Sequence, residues 1–347
     1  MAKICVIGAG KIGRIVNAFL KLEKHEVFLV DSNTEIENAI HIDANDENAI
    51  SDFIKDKDIV VSCASYDANI SIADACAAND VAYFDLTEDV AVSDHIKGLK
   101  TEAFMMPQCG LAPGAVNIIA SDLIKQFSRV DKVKMRVGAL PMFTANSMAY
   151  YLTWSTSGLI NEYINEVDII AGGKAIKVQP LDGLEHLFID GNKYEAFNTS
   201  GGVASMCETF AGKVKTMSYK TIRYPGHHAS MKFLLEDLNL KHNKEKFIDL
   251  FDQEVPYTTK DVVVMFITVI GMIDGKLQER TFQKKIYGDK ALNAIQRTTA
   301  SGVCAVVQAY SEGKLQGSGF QKQEEVPFDV FTSLSLIHIS EPTRLSV

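Results

Sequence analysis

The sequence predicts an α/β protein in which an N-terminal, doubly wound parallel sheet is followed by an α+β domain with a mainly antiparallel sheet. Up to about residue 128, short apolar runs alternate with helical patterns, and a glycine-rich turn follows the first run. Beyond that point, longer alternating runs are joined by glycine turns. Strands alternating with helices imply right-handed crossovers and a parallel sheet, whereas glycine turns between alternating runs indicate antiparallel hairpins. We therefore expect domains at residues 1–128 and 129–330.

The parallel strands of the first domain are predicted from four apolar runs: Ile4–Ile7, Val27–Val30, Ile59–Ser62 and Val81–Asp85. In the second domain, hairpins are predicted at three turns: Gly172–Gly173, Asp190–Gly191 and Asp274–Gly275. Helical patterns at residues 208–215, 231–238 and 291–310 are expected to cover one face of that sheet.

Composition excludes several classes of protein. A net charge of -9 argues against a nucleic-acid partner, because phosphate-binding surfaces are rich in lysine and arginine. No apolar run reaches the roughly 20 residues that a membrane helix needs, and the strand-like N-terminus leaves no room for a signal peptide, so we expect a cytoplasmic protein. The six cysteines form no C-x-x-C pair, and the histidines lack metal-ligand spacing. We therefore predict no catalytic metal.

The end of the sequence differs in character from the rest. Leu334–Arg344 resembles the translation of a transposase mosaic-end adaptor used in sequencing libraries. Residues 334–347 are therefore expected not to belong to the protein, and they are left out of the fold prediction.

The first apolar run leads into a G-x-G-x-x-G motif that opens a helix near Lys11. In a Rossmann domain, the three glycines permit the tight turn, the close approach of backbone to a pyrophosphate, and the packing of helix against strand. An ordinary strand–helix turn is the alternative. The predicted cofactor contacts are this motif and the loop after the third strand: Gly8, Ala9, Gly10, Lys11, Ile12, Gly13, Ser62, Cys63 and Ala64.

Asp31 follows the second strand, 18 residues after Gly13. An acid at this position accepts hydrogen bonds from the ribose hydroxyls and repels a 2′-phosphate. No arginine occurs in Ser32–Thr34. The pattern therefore favours NAD over NADP, although an aspartate that only shapes a turn is the alternative.

Several longer segments carry a more specific signal: Met106–Gly114, Gly138–Pro141, Leu152–Ser155, Gly158–Tyr163, Glu195–Gly202 and Tyr219–His227. Together they resemble the saccharopine dehydrogenase family, in particular its lysine 6-dehydrogenase-like branch. The resemblance covers most of residues 1–330. It implies reversible hydride transfer between a nicotinamide ring and the nitrogen-bearing carbon of an amino acid.

The resemblance also implies roles for residues in both domains. Asp85 and Tyr66 match positions near the reacting carbon, with a turn cap and a packed aromatic as their alternatives. The segment Tyr219–His227 is rich in Tyr, Pro and Gly, which suits a loop or a strand end that faces the cleft. Within it, Arg223 is a candidate clamp for a carboxylate, Lys220 is a candidate second cation or a base with a lowered pKa, and His227 is a candidate acid–base group expected to titrate near neutral pH. Ion pairing at the surface is the alternative for Lys220 and Arg223, and a structural hydrogen bond is the alternative for His227. Further candidate substrate contacts are Thr199, Ser200 and Gly201.

We expect an NAD-dependent lysine 6-dehydrogenase or saccharopine dehydrogenase that acts on a basic or dicarboxylic amino acid as its small-molecule substrate. Reductive condensation, as in carboxynorspermidine dehydrogenases, is the enzymatic alternative. A non-catalytic, NAD(H)-binding regulator is the other alternative. A homodimer formed through the second sheet is a further expectation by analogy.

Overall fold

The fold is given by a computed structural model that describes residues 1–334, without the side chain of Tyr66. The expected foreign tail therefore lies outside the described residues except for Leu334.

The strands are β1 (Lys3–Ile7), β2 (Glu26–Asp31), β3 (Ile40–His41), β4 (Ile59–Ser62), β5 (Ala82–Asp85), β6 (Phe104–Met106), β7 (Arg129–Pro141), β8 (Val167–Ala171), β9 (Lys174–Val178), β10 (Glu185–Ile189), β11 (Asn192–Asn198), β12 (Val214–Arg223), β13 (Asp261–Ile273), β14 (Lys276–Tyr287) and β15 (Gly319–Phe320). The α-helices are α1 (Gly13–Leu22), α2 (Glu47–Ile54), α3 (Tyr66–Asn79), α4 (Val90–Gly98), α5 (Ala115–Lys125), α6 (Thr156–Ile164), α7 (Met206–Phe210), α8 (His227–Lys232), α9 (Lys244–Glu254), α10 (Ala294–Ser311) and α11 (Phe328–Ser333).

Among the described residues, the first compact unit comprises Met1–Ile118 and residues 296–334. Its seven-stranded sheet has the order β15-β6-β5-β4-β1-β2-β3, with every neighbouring pair parallel. Ser62 at the end of β4 is in register with both Ile7 and Asp85. Because the strands are parallel, the glycine turn and the residues that follow β2, β4 and β5 share one edge of the sheet. The Rossmann-like fold predicted for this part is confirmed.

The chain returns to the first unit at its C-terminal end. From Gln296 onward α10 belongs to this unit, and β15 pairs with β6 at the edge of the sheet. The predicted division at residue 128 had placed these residues in the second domain. A return of this kind leaves no local mark in a sequence, because a buried helix has the same pattern in either unit.

The second unit, Ile119–Ile295, contains the predicted α+β domain. The strand order is β10-β11-β12-β7-β13-β14, and β8 joins β12 to β9. Only the pair β12–β7 is parallel among the described pairings of this sheet. All three predicted hairpins are present, as β8–β9, β10–β11 and β13–β14.

The predicted helix at 208–215 is wrong in its second half. Helix α7 ends at Phe210, Gly212 takes a left-handed φ of 77°, and β12 starts at Val214. From Thr216 to Thr221 the chain alternates more exposed and buried residues with a period of two, as a strand does.

The two faces of this second sheet carry different side chains. One face packs on helices α6, α8 and α9 through a cluster that includes Phe197, Tyr163 and Phe247. The opposite face holds a smaller apolar cluster around Leu140 and Ile222. The two ends of the sheet are tied together on this side, because Lys285 of β14 is bonded to Asp190 beside β10 at 2.9 Å. The sheet is therefore curled around the second cluster.

Among residues 1–334, no helix combines the length and the apolar character needed to cross a membrane.

Candidate functional site

The glycine turn after β1 is built by two glycines that tolerate no side chain and one that faces open space. Gly8 has a φ of 99°, and a Cβ there would lie 2.7 Å from the backbone nitrogen of Ala64. A Cβ on Gly13 would lie 1.8 Å from the carbonyl oxygen of Gly8. A Cβ on Gly10 would meet nothing within 4 Å. The turn therefore needs Gly8 and Gly13 for its own packing, whereas Gly10 leaves room for an approaching ligand.

Helix α1 presents an uncapped N-terminus beside this open space. The helix begins at Gly13, two residues later than expected, and its N-cap residue Ile12 makes no side-chain capping bond. Its first turn carries no acidic residue. The positive end of the helix dipole therefore meets no carboxylate of its own first turn, which suits a phosphate group.

Asp31 ties the glycine turn to the end of β2. Its Oδ2 accepts a hydrogen bond from the backbone nitrogen of Ala9 (2.6 Å), and its Oδ1 accepts one from that of Asn33 (2.9 Å). An ionised carboxylate has about four acceptor sites, so two remain for hydroxyl groups. The residues that follow, Ser32–Thr34, are exposed. This arrangement fits a dinucleotide whose pyrophosphate lies over Gly10 and whose ribose lies near Asp31.

The loop after β4 forms the wall beside Gly8. The Ser62 hydroxyl donates to Oδ1 of Asn69 at 2.6 Å, which anchors the loop to α3. The backbone of Cys63 and Ala64 lies against Gly8. Burial raises the pKa of the Cys63 thiol to about 12, so the thiol stays protonated at neutral pH. This loop can shape a binding site but offers no thiolate.

Asp85 lies at the expected edge of the sheet, but its carboxylate points into hydrogen bonds of the protein. The side chain is fully buried and accepts bonds from the Tyr83 hydroxyl (2.8 Å) and from the backbone nitrogens of Gln108 (2.7 Å) and Thr87 (3.1 Å). Burial raises its pKa to about 6, although these bonds act in the opposite direction. Asp85 thus holds the end of β5 to the loop after β6. The side chain of Tyr66, its predicted partner, lies outside the described part of the chain.

One further residue at this place could not be found from the sequence. Gln323, fully buried, donates from Nε2 to the carbonyl of Pro107 (2.7 Å) and to Oε1 of Gln108 (3.2 Å). It lies 215 residues from Gln108 in the chain. No local pattern indicates this contact, since it depends on the C-terminal return to the first unit.

In the second unit, Arg223 and His227 are brought together by Tyr163. Arg223 donates from Nε to the Tyr163 oxygen (2.8 Å) and from Nη1 to the carbonyl of Ile222 (3.0 Å). The Tyr163 oxygen lies 3.1 Å from Nε2 of His227. The guanidinium also lies over the ring of Tyr150, 5.2 Å from its centroid. Tyr163 was not among the predicted site residues.

The direction of each bond in this chain follows from chemistry. Nδ1 of His227 lies 3.1 Å from the carbonyl of Met148, which can only accept, so Nδ1 carries the proton. Nε2 then accepts from the Tyr163 hydroxyl, whose oxygen accepts from Arg223. Burial, with Arg223 nearby, lowers the pKa of His227 to about 3. The expected titration of His227 near neutral pH is therefore not what the structure indicates, and the structural hydrogen bond is the better description.

Arg223 is a buried cation without an ion-pair partner among the described residues. Its side chain is almost completely enclosed. Tyr163, Tyr150 and Glu162 keep its pKa above the ordinary value despite the opposing effect of burial, so the charge persists. A buried charge that lacks a counter-ion is costly, and such groups are retained where an anion binds or where structure requires them.

The hydroxyls near Thr199 are engaged within the protein. Thr199 and Thr221 share a hydrogen bond of 2.9 Å, and the Ser200 hydroxyl donates to the carbonyl of Asn161 at 3.2 Å. Gly201 takes a φ of 86°, which a side chain would strain. These residues form a tight turn next to α6.

Lys220 does not join Arg223. The two residues lie three apart on β12, and side chains alternate across a strand, so they point to opposite faces of the sheet. Lys220 instead donates to the carbonyl of Gly183 and lies 3.7 Å from Glu185. The predicted group of basic residues is therefore divided, with the cation Arg223 and the neutral His227 on the helical face and Lys220 on the other.

Within residues 1–334 no group of three or more His, Cys, Asp or Glu side chains is arranged to hold a metal ion.

Comparison with known proteins identifies both parts of the chain. Residues 4–104 match the family model described as the saccharopine dehydrogenase NADP binding domain, and residues 110–334 match the saccharopine dehydrogenase C-terminal domain. The fold is similar to that of the glutamate-forming saccharopine dehydrogenase of Saccharomyces cerevisiae, with a TM-score of 0.76 and 16% identity over 96% of this chain and 97% of that one.

More distant likeness extends to other amino-acid dehydrogenases. The DAP dehydrogenase of C. glutamicum matches with a TM-score of 0.52 and 14% identity, over 97% of this chain and 98% of that chain. An engineered D-amino acid dehydrogenase bound to NADP+ matches with a TM-score of 0.51 and 14% identity, over 95% of each chain. At such identities the structural likeness shows the fold alone, whereas the family models match most of the sequence. The chain belongs to the saccharopine dehydrogenase family, whose members are oxidoreductases with a dinucleotide-binding domain.

Proposed function

We propose that this protein is an NAD-dependent oxidoreductase that acts on the C–N bond of an amino acid, with lysine or saccharopine as its substrate. The observation that carries the proposal is the glycine turn with Asp31, where a pyrophosphate has open space over Gly10 and a ribose has a carboxylate within reach. When bound, the nicotinamide accepts or supplies the hydride. The protein supplies binding, orientation and charge.

The proposed preference for NAD rests on charge around Asp31. Residues 32–39 contain two glutamates and no lysine or arginine, so nothing in this stretch would offset the repulsion between Asp31 and a 2′-phosphate. The family model describes the domain as NADP binding, and the solved D-amino acid dehydrogenase holds NADP+. We therefore propose that Asp31 sets the cofactor preference of this chain.

The structure suggests positioning roles for two of the predicted catalytic residues. Asp85 is proposed to fix the loop that carries Gln108, because its buried carboxylate accepts three hydrogen bonds from donors of the protein. His227 is proposed to hold Tyr163, and through it Arg223, because it is neutral and bonded at both ring nitrogens. Arg223 is proposed to take a substrate carboxylate as its missing counter-ion, which requires the enclosing ring of Tyr150 to turn aside.

The function is tested by following NADH formation with saturating lysine and, separately, saccharopine, and with carboxynorspermidine in the same panel. Turnover of lysine or saccharopine supports the proposal, and turnover of carboxynorspermidine alone would replace it with the condensing activity. Binding of NADH without turnover of any amine would identify a regulator.

The cofactor preference is tested with the double variant Asp31→Ala, Ser32→Arg. Removing the repelling carboxylate and adding a cation should shift the ratio of NAD to NADP catalytic efficiencies toward NADP by at least about tenfold, since one charge-assisted bond contributes about 1.5–3 kcal/mol. An unchanged ratio would show that residue 31 does not contact the ribose.

A further inference from the structure

A cluster of three cations lies on the face of the second sheet opposite the helices. Lys134 and Arg136 stand on β7, and Lys220 of β12 is in direct register with Arg136. All three surround Glu185, the first residue of β10. The distances to its carboxylate oxygens are 2.6 Å from Nε of Arg136, 3.3 Å from Nζ of Lys134 and 3.7 Å from Nζ of Lys220.

The charges of this cluster do not balance. Three positive charges meet one negative charge, which leaves +2, and no second carboxylate of the described residues is in ion-pairing distance of the three cations. Their other hydrogen-bond partners are neutral: the carbonyl of Gly183 for Lys220 and the hydroxyl of Thr268 for Arg136. Glu279 lies further along the same face on β14, where it accepts from the Thr281 hydroxyl.

The excess charge is also partly withdrawn from water. The side chain of Arg136 is 7% exposed and that of Lys220 is 14% exposed, whereas Lys134 at 38% stands at the open side. The guanidinium of Arg136 lies over the ring of Phe266, 5.1 Å from its centroid. Like charges gathered in a partly buried place repel each other with little screening, so the arrangement is unfavourable unless an anion joins it.

The pKa of Lys220 agrees with an excess of positive charge at this place. Burial and the two neighbouring cations lower the pKa of Lys220, and together they outweigh the opposing effect of Glu185. A lowered lysine pKa is expected in a place of excess positive charge.

From this geometry we infer that Lys134, Arg136 and Lys220 form a binding site for a small multivalent oxyanion, either a dicarboxylate or a phosphate. Arg136 and the two lysines donate to the oxyanion, while Glu185 keeps the three side chains in place. This site lies on the opposite face of the sheet from Arg223, and it does not depend on the proposed dehydrogenase activity.

The test is calorimetric and thermal titration of the whole protein with malonate and, separately, with inorganic phosphate, against sodium chloride at matched ionic strength. We compare the wild-type protein with Lys134→Gln and Lys220→Gln. The matched control is Lys215→Gln, which removes the same charge from an exposed position of β12 on the opposite face. Circular dichroism establishes that each variant is folded.

One of the two oxyanions should raise the melting temperature of the wild-type protein more than chloride does, and should bind with 1:1 stoichiometry. Each of Lys134→Gln and Lys220→Gln should weaken that binding by about tenfold, whereas Lys215→Gln should leave it unchanged. If Lys220→Gln does not fold, the comparison is made with Lys134→Gln, because Lys134 is half-exposed. Equal effects of chloride and both oxyanions, or equal affinities in Lys134→Gln and Lys215→Gln, would overturn the inference.

Discussion

The substitutions Gly13→Ala and Gly10→Ala should affect different properties, although the two glycines belong to one motif. Gly13→Ala should lower stability, and Gly10→Ala should remove cofactor binding. A Cβ on Gly13 would lie 1.8 Å from the carbonyl oxygen of Gly8, so the backbone must move to admit it. Overpacking a tight site costs about 1–3 kcal/mol and sometimes more, and a backbone contact as short as this one belongs at the upper end. Gly13→Ala should therefore lower the free energy of unfolding by about 3 kcal/mol.

Gly10→Ala should instead leave the fold intact and remove cofactor binding. No atom lies within 4 Å of the added Cβ, and Gly10 is not among the residues with positive φ. The unfolding free energy should change by less than about 1 kcal/mol. The methyl group would occupy the space proposed for the pyrophosphate, and losing two charge-assisted bonds costs about 3 kcal/mol or more. The affinity for NADH should fall by at least about 100-fold.

The assay combines urea unfolding, followed by circular dichroism, with calorimetric titration of NADH for both variants. We expect Gly13→Ala to lose stability, and Gly10→Ala to lose NADH binding while it keeps its stability. It would be refuted if Gly10→Ala bound NADH like the wild-type protein, or if it lost as much stability as Gly13→Ala.

Three further outcomes follow from the buried polar groups. Because His227 binds a proton near pH 6.5 when unfolded but only near pH 3 when folded, its contribution to stability is complete above pH 6.5. That contribution should fall by about 1.4 kcal/mol per pH unit below 6.5. Urea unfolding followed by the fluorescence of Trp154, the single tryptophan, should show this slope flattened in His227→Asn and kept in the exposed control His186→Gln. Tyr163→Phe removes a hydroxyl that joins two buried groups, so the same assay should show a loss of about 2–4 kcal/mol, and an unchanged midpoint would contradict the bond chain. The pKa of Asp85 is about 6 in the folded protein and 3.8 in the unfolded chain. The contribution of Asp85 to stability is therefore complete below pH 3.8 and is lost as pH rises through 6. Hydrogen exchange of β5 should show this loss in the wild-type protein and not in Asp85→Asn.

The sequence predicts the N-terminal part of the first unit well because its signals are local. The apolar runs, the spacing of the glycines and the position of Asp31 all depend on neighbours within a strand–turn–helix segment. The bond from Ala9 to Asp31 spans only 22 residues. Such features are set by backbone geometry that one short segment determines.

The arrangement of the charged residues in the second unit was less predictable, because strand register and strand pairing determine which side chains lie together. Tyr219–His227 was expected to be a loop or a strand end, where Lys220 and Arg223 could face one ligand, but β12 continues to Arg223 and separates them. Aromatic and β-branched residues are enriched in strands, and Tyr219, Thr221 and Ile222 were the signal that could have shown this. Arg136 and Glu185 lie 49 residues apart, and only the pairing of strands brings them together.

Cofactor binding is the claim on which the function depends, and direct titration of the intact protein with NADH and with NADPH tests it most directly. We expect saturable binding of NADH at one site per chain, and binding of NADPH that is weaker by at least about tenfold because of Asp31. A well-folded sample that binds neither nucleotide would contradict the account.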